Sequence, residues 1–151
     1  QLCEQSQMVH QGKRSQMPNL MEITNTDVAA HIEAMKIAAH NDLAREALVD
    51  DDTLLFNAGV GLRSKVLLTS GISANTPEFR AAAIKAVGEF DGFDADNDPN
   101  GTHEFGSIII EGETVFWKID LYDEHYEFGA ENPTDFRTPR RVLTIMLASE
   151  Y

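Results

Sequence analysis

The apolar positions in the first part of the chain recur at steps of three and four residues. This is the period of a helix with one apolar face. The positions concerned are Val28, Ile32, Met35, Ala39, Leu43 and Ala47. Thr26 is a suitable N-cap, and Asp27 follows it in the first turn, where the helix dipole favours a carboxylate. We therefore predict a helix over residues 26–48.

A second helix is predicted over residues 76–90. Thr76 can cap its N-terminus, and Pro77 fits the first helical position because its missing N–H is not needed there. The predicted apolar side consists of Phe79, Ala83, Ile84 and Val87.

Four short runs have the composition of β-strands: residues 64–69, 107–111, 114–122 and 141–148. The third alternates apolar and polar positions, and the fourth is almost continuously apolar, which is typical of a central strand. Between the second and third, Glu111-Gly112-Glu113 predicts a hairpin connection. The order α-β-α-β-β-β predicts an α+β fold, in which two helices pack on one face of a mainly antiparallel four-stranded sheet.

Length and composition favour a single domain. The 151 residues are 42% hydrophobic and 25% charged, as in a globular protein with its own core. Residues 1–24 are polar and aperiodic, so we predict a disordered tail there and one domain over residues 25–151. No run approaches the roughly 20 apolar residues that span a bilayer. The only cysteine, Cys3, cannot form an internal disulfide. We expect a cytoplasmic protein without membrane contact.

Acidic residues are concentrated in one stretch of the chain. The formal net charge is −13, and residues 89–135, the acidic segment, hold fourteen Asp and Glu against one base, Lys118. The rest of the chain holds eleven of each sign. Such a density disfavours direct binding to nucleic acid and favours a protein partner with a basic surface. A surface that only keeps the protein in solution is the alternative.

Aromatic and acidic residues are interleaved within the acidic segment. On a basic groove the rings can anchor while the carboxylates pair with Lys or Arg. The predicted contact residues are Trp117, Tyr122, Asp123, Glu124, Tyr126 and Glu127. For Trp117, a place in the hydrophobic core is the competing interpretation.

Three aspartates occupy alternate positions, as the first ligands of a calcium loop do: Asp94, Asp96 and Asp98. The match ends there, because Pro99 stands at the glycine position and Phe105 at the position of the closing glutamate. Two interpretations stay open, an irregular divalent-cation site and a loop of Asx turns.

His103 and Glu104 form the pair most suited to catalysis, since histidine exchanges protons near neutral pH and a carboxylate can act as base or metal ligand. With Asp120 and Lys118 they suggest a metal-assisted hydrolase, in which the cation activates water and the lysine stabilises negative charge. Metal nucleases often place an acid two residues before such a lysine, whereas Phe116 stands here. A non-enzymatic module is therefore the main hypothesis, and a metal-dependent hydrolase with a divalent cation is the alternative.

Three blocks of sequence are distinctive. They are Asp96-Asn97-Asp98-Pro99 with Gly101, His103, Phe105 and Gly106; Phe116-Trp117-Lys118-Ile119-Asp120; and Arg141-Val142-Leu143-Thr144-Ile145-Met146, with the ending Glu150-Tyr151. In these blocks the chain, over about residues 27–151, resembles the bacterial domain-of-unknown-function family numbered 3768. The resemblance implies a cytoplasmic accessory protein of alphaproteobacteria and their plasmids, and it assigns no catalytic residue. One departure lies at Thr102 and Glu104, which flank His103 where we expect an acid and Asp.

Together the charge and the resemblance suggest an interaction module, for example an anti-defence protein of a mobile element. Such a protein would imitate a polyanion and cover the nucleic-acid-binding surface of its partner.

Overall fold

The computed structural model describes residues 22–151. Its helices are α1 (Asn25–Glu46), α2 (Asp51–Val60), α3 (Ser70–Ser73) and α4 (Pro77–Gly88). Its strands are β1 (Arg63–Leu68), β2 (Phe105–Ile110), β3 (Glu113–Tyr122) and β4 (Arg140–Leu147), and a 3₁₀ turn (Ala148–Glu150) follows. All but the last three residues of the predicted tail, with Cys3, lie outside the described residues.

One four-stranded sheet in the order β1-β4-β3-β2 organises the fold. β2 pairs with β3 and β3 with β4 in antiparallel fashion, whereas β1 runs parallel to β4. The predicted α+β fold with a mainly antiparallel sheet is confirmed, and so is the central position of β4. The sheet is mixed because the chain crosses over through α3 and α4 after β1.

The hydrophobic core lies between the sheet and α4. Trp117 of β3 and Phe79 of α4 are almost completely buried, with Ile145 of β4 beside them. The hairpin between β2 and β3 turns at Glu111 and Gly112, which both have positive φ (51° and 82°), as a two-residue turn of this twist requires. This connection matches the prediction.

The N-cap of helix α1 lies two residues earlier than predicted, and the helix buries a different face. Its N-cap is Thr24, which forms a capping box with Asp27, so Thr26 is not the cap. Val28 and Ile32, on the predicted apolar face, are 47% exposed. The buried positions are Ala38, Asn41, Ala44 and Arg45. Polar side chains occupy this face because they find partners far along the chain, as described below.

Helix α2 is not among the predicted elements, because three successive aspartates, Asp50, Asp51 and Asp52, are typical of a turn. Asp50 instead caps the helix, and Asp51 and Asp52 lie in its first turn, where carboxylates are favoured. The helix ends at Gly61, whose φ of 83° suits a glycine C-cap. Among the helices of the described residues, none combines the length and apolarity required to cross a membrane.

Candidate functional site

The loop that carries the three aspartates is held by its own backbone. Asp94 Oδ1 accepts hydrogen bonds from the N–H groups of Asp96 (2.9 Å) and Asn97 (3.0 Å). Asp98 Oδ1 accepts from Thr102 (3.0 Å) and His103 (3.2 Å) in the same way. Within residues 22–151, no group of three or more His, Cys, Asp and Glu side chains is placed to hold a metal ion. The geometry therefore favours the loop of Asx turns over a three-aspartate site.

His103 is fixed between this loop and α1. Its backbone has a φ of 54°, and its imidazole stacks on Phe93 with parallel rings 3.8 Å apart between centroids. Nδ1 lies 2.9 Å from both carboxylate oxygens of Asp42, and Nε2 lies 3.7 Å from Asp98 Oδ2. When the neutral imidazole donates its Nδ1–H to Asp42, its Nε2 carries a lone pair and no proton. Non-glycine residues with positive φ often occur at functional sites, because the strain has to be sustained by the surroundings.

The partners of His103 on α1 are not predicted by the sequence pattern. Arg45 is 3% exposed, and its Nη1 donates to the carbonyl oxygens of Val87 and Gly88, both at 3.0 Å. Its Nη2 donates to Asp42 at 3.0 Å, so one carboxylate joins the guanidinium to the imidazole. Asp42 and Arg45 stand three residues apart in the predicted helix, and this spacing indicates an ion pair on the helix surface. It does not indicate the contact between Asp42 and the distant loop that carries His103.

Asn41, next to Asp42, ties the same stretch of α1 to the loop and to the sheet. Its side-chain N–H₂ donates to the Thr102 carbonyl (2.9 Å), and its oxygen accepts from Nε of the buried Arg141 (3.0 Å). Asp42, Arg45, Phe93 and His103 then line an open cleft of about 440 Å³, which we call the His103 cleft. This cleft offers an imidazole that is oriented by the Asp42 carboxylate.

The structure does not bring the other predicted catalytic residues to this cleft. Lys118 Nζ pairs with Asp120 Oδ2 at 2.7 Å, and this hydrogen bond raises the pKa of Lys118. Since side chains alternate along β3, both project from the sheet face opposite Trp117, whereas Phe93 beneath His103 packs against Trp117. Glu104 is exposed. The predicted hydrolase site of His103, Glu104, Lys118 and Asp120 is therefore not formed. Lys118 and Asp120 pair with each other on the opposite face of the sheet from His103.

The carboxylates of the acidic segment are largely exposed. Eleven of the fourteen are exposed, and Asp98, Asp120 and Asp123 are half-buried. In the part of the chain that is described, only two ion pairs engage carboxylates of the acidic segment, Lys118–Asp120 and His103–Asp98. Most of its charge is thus directed into solvent without a counterion from the protein.

Five of the six predicted contact residues reach the surface. Tyr126, Glu124 and Glu127 are exposed, and Tyr122 and Asp123 are half-buried. Hydrogen bonds from backbone N–H groups lower the pKa of Asp123, and the bond from Glu127 has the largest effect. Trp117 is an exception, because it is fully buried in the core and cannot contact a partner.

The chain matches one family model, described as Protein of unknown function (DUF3768), over residues 68–150. This match covers more than half of the chain, from the end of β1 to the 3₁₀ turn. No curated protein and no solved structure matches the chain.

Proposed function

The chain belongs to the DUF3768 family of proteins of unknown function, and from that premise we propose that it is a non-enzymatic module that binds the basic surface of a protein partner. The observation that carries this proposal is the exposure of eleven carboxylates in the acidic segment with almost no pairing inside the molecule. A module that imitates a polyanion needs charges that are available to its partner.

The charge distribution favours electrostatic steering. An unpaired acidic surface attracts a basic partner over about a Debye length, roughly 8 Å at physiological salt, and accelerates encounter. Tyr126, between Glu124 and Glu127, supplies an exposed ring that can anchor the complex once it forms. We further propose a bacterial cytoplasmic setting, in which an anti-defence protein would cover the nucleic-acid-binding surface of its partner.

The test is affinity capture from a bacterial lysate, followed by calorimetry on the purified partner. We expect a partner with a basic surface, whose affinity falls about tenfold or more when salt rises from about 50 to 500 mM. The substitutions Glu124→Gln, Glu127→Gln and Glu131→Gln together should weaken binding. A control with Glu22→Gln, Glu33→Gln and Glu78→Gln removes equal charge outside the acidic segment and should bind almost normally. Salt-independent affinity, or an equal loss in the control, would contradict the proposal.

A divalent cation held by His103 and Asp98 is the second candidate function. Asp42 holds Nδ1 of His103, so Nε2 is left as a ligand atom, with Asp98 Oδ2 at 3.7 Å from it. A cation bound by these two groups would take its remaining ligands from water, and Zn²⁺ suits the imidazole nitrogen best among the ions tested. Titration calorimetry with Mg²⁺, Ca²⁺, Mn²⁺ and Zn²⁺ should give a saturable signal that His103→Gln abolishes and His125→Gln retains. No heat with any of the four ions would eliminate this candidate.

A further inference from the structure

Four basic side chains gather at the corner of the sheet where β1 and β4 begin: Arg63, Lys65, Arg137 and Arg140. We call this group the arginine corner. Arg63 and Arg140 are register partners in the parallel pairing, so two positive side chains stand side by side on one face. Adjacent like charges on a sheet repel one another. The arginine corner is a local patch of positive charge on a protein whose net charge is −13.

No carboxylate neutralises the arginine corner. Across residues 22–151, none of the four cations has an acidic oxygen within 4.0 Å. Asp135, the nearest acid along the chain, accepts from the Arg137 backbone N–H (3.4 Å) and the Thr138 hydroxyl (2.6 Å) instead. The positive charge thus stays available to a ligand.

Backbone carbonyls hold two of the guanidinium groups in place. Arg140 Nη1 donates to the carbonyl oxygens of Arg137 (2.9 Å) and Thr138 (3.1 Å). Arg137 Nε donates to Val60 at the end of α2 (3.3 Å). Each guanidinium group uses only one of its three nitrogens in these hydrogen bonds, which fix its orientation. The other two nitrogens can therefore donate to an anion at a defined position.

Two cavities meet at Arg63 and Arg140. One, of about 390 Å³, is also lined by Arg137. The other, of about 270 Å³, is lined by Leu54, Leu62 and Tyr126 and is therefore partly apolar. Tyr126 has a φ of 57°, and Lys65 Nζ lies 3.9 Å from the centroid of its ring. A strained aromatic residue thus borders both the positive charge and the apolar groove.

We propose that the arginine corner binds a phosphate-bearing small molecule. The guanidinium groups of Arg63 and Arg140 hold the phosphate, because their paired N–H groups match its oxygens. The groove beside Tyr126 holds the organic part of the ligand. A long nucleic-acid strand is disfavoured, since Glu124 and Glu127 flank Tyr126 and would repel its other phosphates. This site attracts an anion, whereas the proposed partner surface attracts a basic protein, and the two share only Tyr126.

The experiment is titration calorimetry of the full chain with adenosine monophosphate, inorganic phosphate and adenosine, at about 50 mM salt to limit screening. We expect saturable binding of the nucleotide, weaker binding of phosphate, and none of adenosine. Arg63→Gln with Arg140→Gln should weaken nucleotide binding about tenfold or more, because each removes charge-assisted hydrogen bonds. A control with Lys36→Gln and Lys85→Gln removes equal charge elsewhere and should change affinity less than about twofold.

The single variant Arg63→Gln separates binding from folding. Arg63 is exposed, and its neighbour Arg140 repels it, so we expect an unchanged or slightly higher melting temperature together with weaker nucleotide binding. No saturable binding of nucleotide or phosphate up to about 10 mM would overturn the proposal. Equal binding of adenosine, an equal loss in the lysine control, or tighter binding of a short oligonucleotide than of the mononucleotide would overturn it as well.

Discussion

Trp117 can be buried because Gly106, opposite it on β2, has no side chain. A Cβ at Gly106 would collide with the indole nitrogen and the adjoining ring carbons. The ring cannot easily move away, since Phe90 and Phe93 pack against it at 5.5 and 6.0 Å between centroids. We therefore expect Gly106→Ala to lower the free energy of unfolding by about 2 to 3 kcal/mol, measured by urea denaturation.

The matched control is Gly59→Ala within α2. Apart from the adjacent residues and the backbone of its own helix, nothing lies within 4 Å of a Cβ built at Gly59, and alanine favours a helix. This substitution should raise the free energy of unfolding by about 0.5 to 1 kcal/mol. If Gly106→Ala were as well tolerated as Gly59→Ala, the close packing of glycine against indole would be refuted.

His40 on α1 should make stability depend on pH. Burial lowers its pKa from the ordinary 6.5, and the nearby positive Arg141 lowers it further, while Asp135 acts in the opposite direction. The unfolded chain then binds a proton more readily than the folded one. Stability is therefore retained above pH 6.5, decreases as the pH falls through that value, and levels off below the folded pKa.

Urea denaturation at several values between about pH 7.5 and 5 measures this dependence. The decrease should be smaller in His40→Gln, whereas His31→Gln, on an exposed part of the same helix, should behave as the unaltered protein. An identical slope in His40→Gln and the unaltered protein would show that His40 does not contribute. Carboxylates with lowered pKa act in a separate window, below their ordinary value of 3.8 for aspartate.

At the scale of elements, the 3₁₀ turn Ala148–Glu150 fastens the end of β4 to the segment after β1. The Glu150 carboxylate accepts from the Thr69 hydroxyl (2.6 Å), the Gly71 N–H (2.7 Å) and the Leu147 N–H (2.8 Å). These hydrogen bonds lower the pKa of Glu150, and the bond from the Thr69 hydroxyl has the largest effect. We expect Glu150→Gln to lower the melting temperature near neutral pH.

The pH dependence identifies the charge of Glu150 as the cause. Its stabilisation is fully present above the ordinary value of 4.5 and is lost as the pH falls through the lowered pKa. The melting temperatures of Glu150→Gln and the unaltered protein should therefore converge in acid, while the exposed Glu89→Gln shows no comparable difference at any pH. A gap that persists undiminished at about pH 3 would rule out this explanation.

The helices show where sequence patterns are sufficient and where they are not. Helix α4 was predicted nearly to its ends, because Thr76 and Pro77 are local signals that act within one turn. The buried face of α1 was not, because Asn41 and Arg45 are buried only by virtue of carbonyl partners at Thr102, Val87 and Gly88. A periodicity in a single helix contains no information about such distant partners.

At the scale of the whole molecule, strand composition predicted the central position of β4, but strand direction depended on the crossover. Likewise His103 was selected from its residue type, whereas Asp42, 61 residues away, was not. The exposure of the acidic segment could be anticipated from its charge. The arginine corner could not, since Arg63 and Arg140 meet only through the parallel pairing of β1 with β4.

Self-repulsion within the acidic segment should make the fold sensitive to salt. Exposed carboxylates that lack counterions destabilise the compact state, and salt screens them. Raising sodium chloride from about 0.05 to 0.5 M should therefore raise the melting temperature by roughly 3 to 6 °C. The rise should be smaller when Glu124, Glu127 and Glu131 are changed to Gln. A melting temperature that falls or stays constant would contradict this prediction.

The position of β4 also has a consequence for synthesis. β1 ends at Leu68, yet its partner in the sheet begins only at Arg140, after every other strand. During translation β1 therefore has no partner strand until β4 has emerged from the ribosome. β2 and β3, which form a local hairpin, can pair much earlier. A nascent chain that has emerged only as far as residue 139 would thus contain helices α1 to α4 and the hairpin, but no sheet that joins β1 to the hairpin.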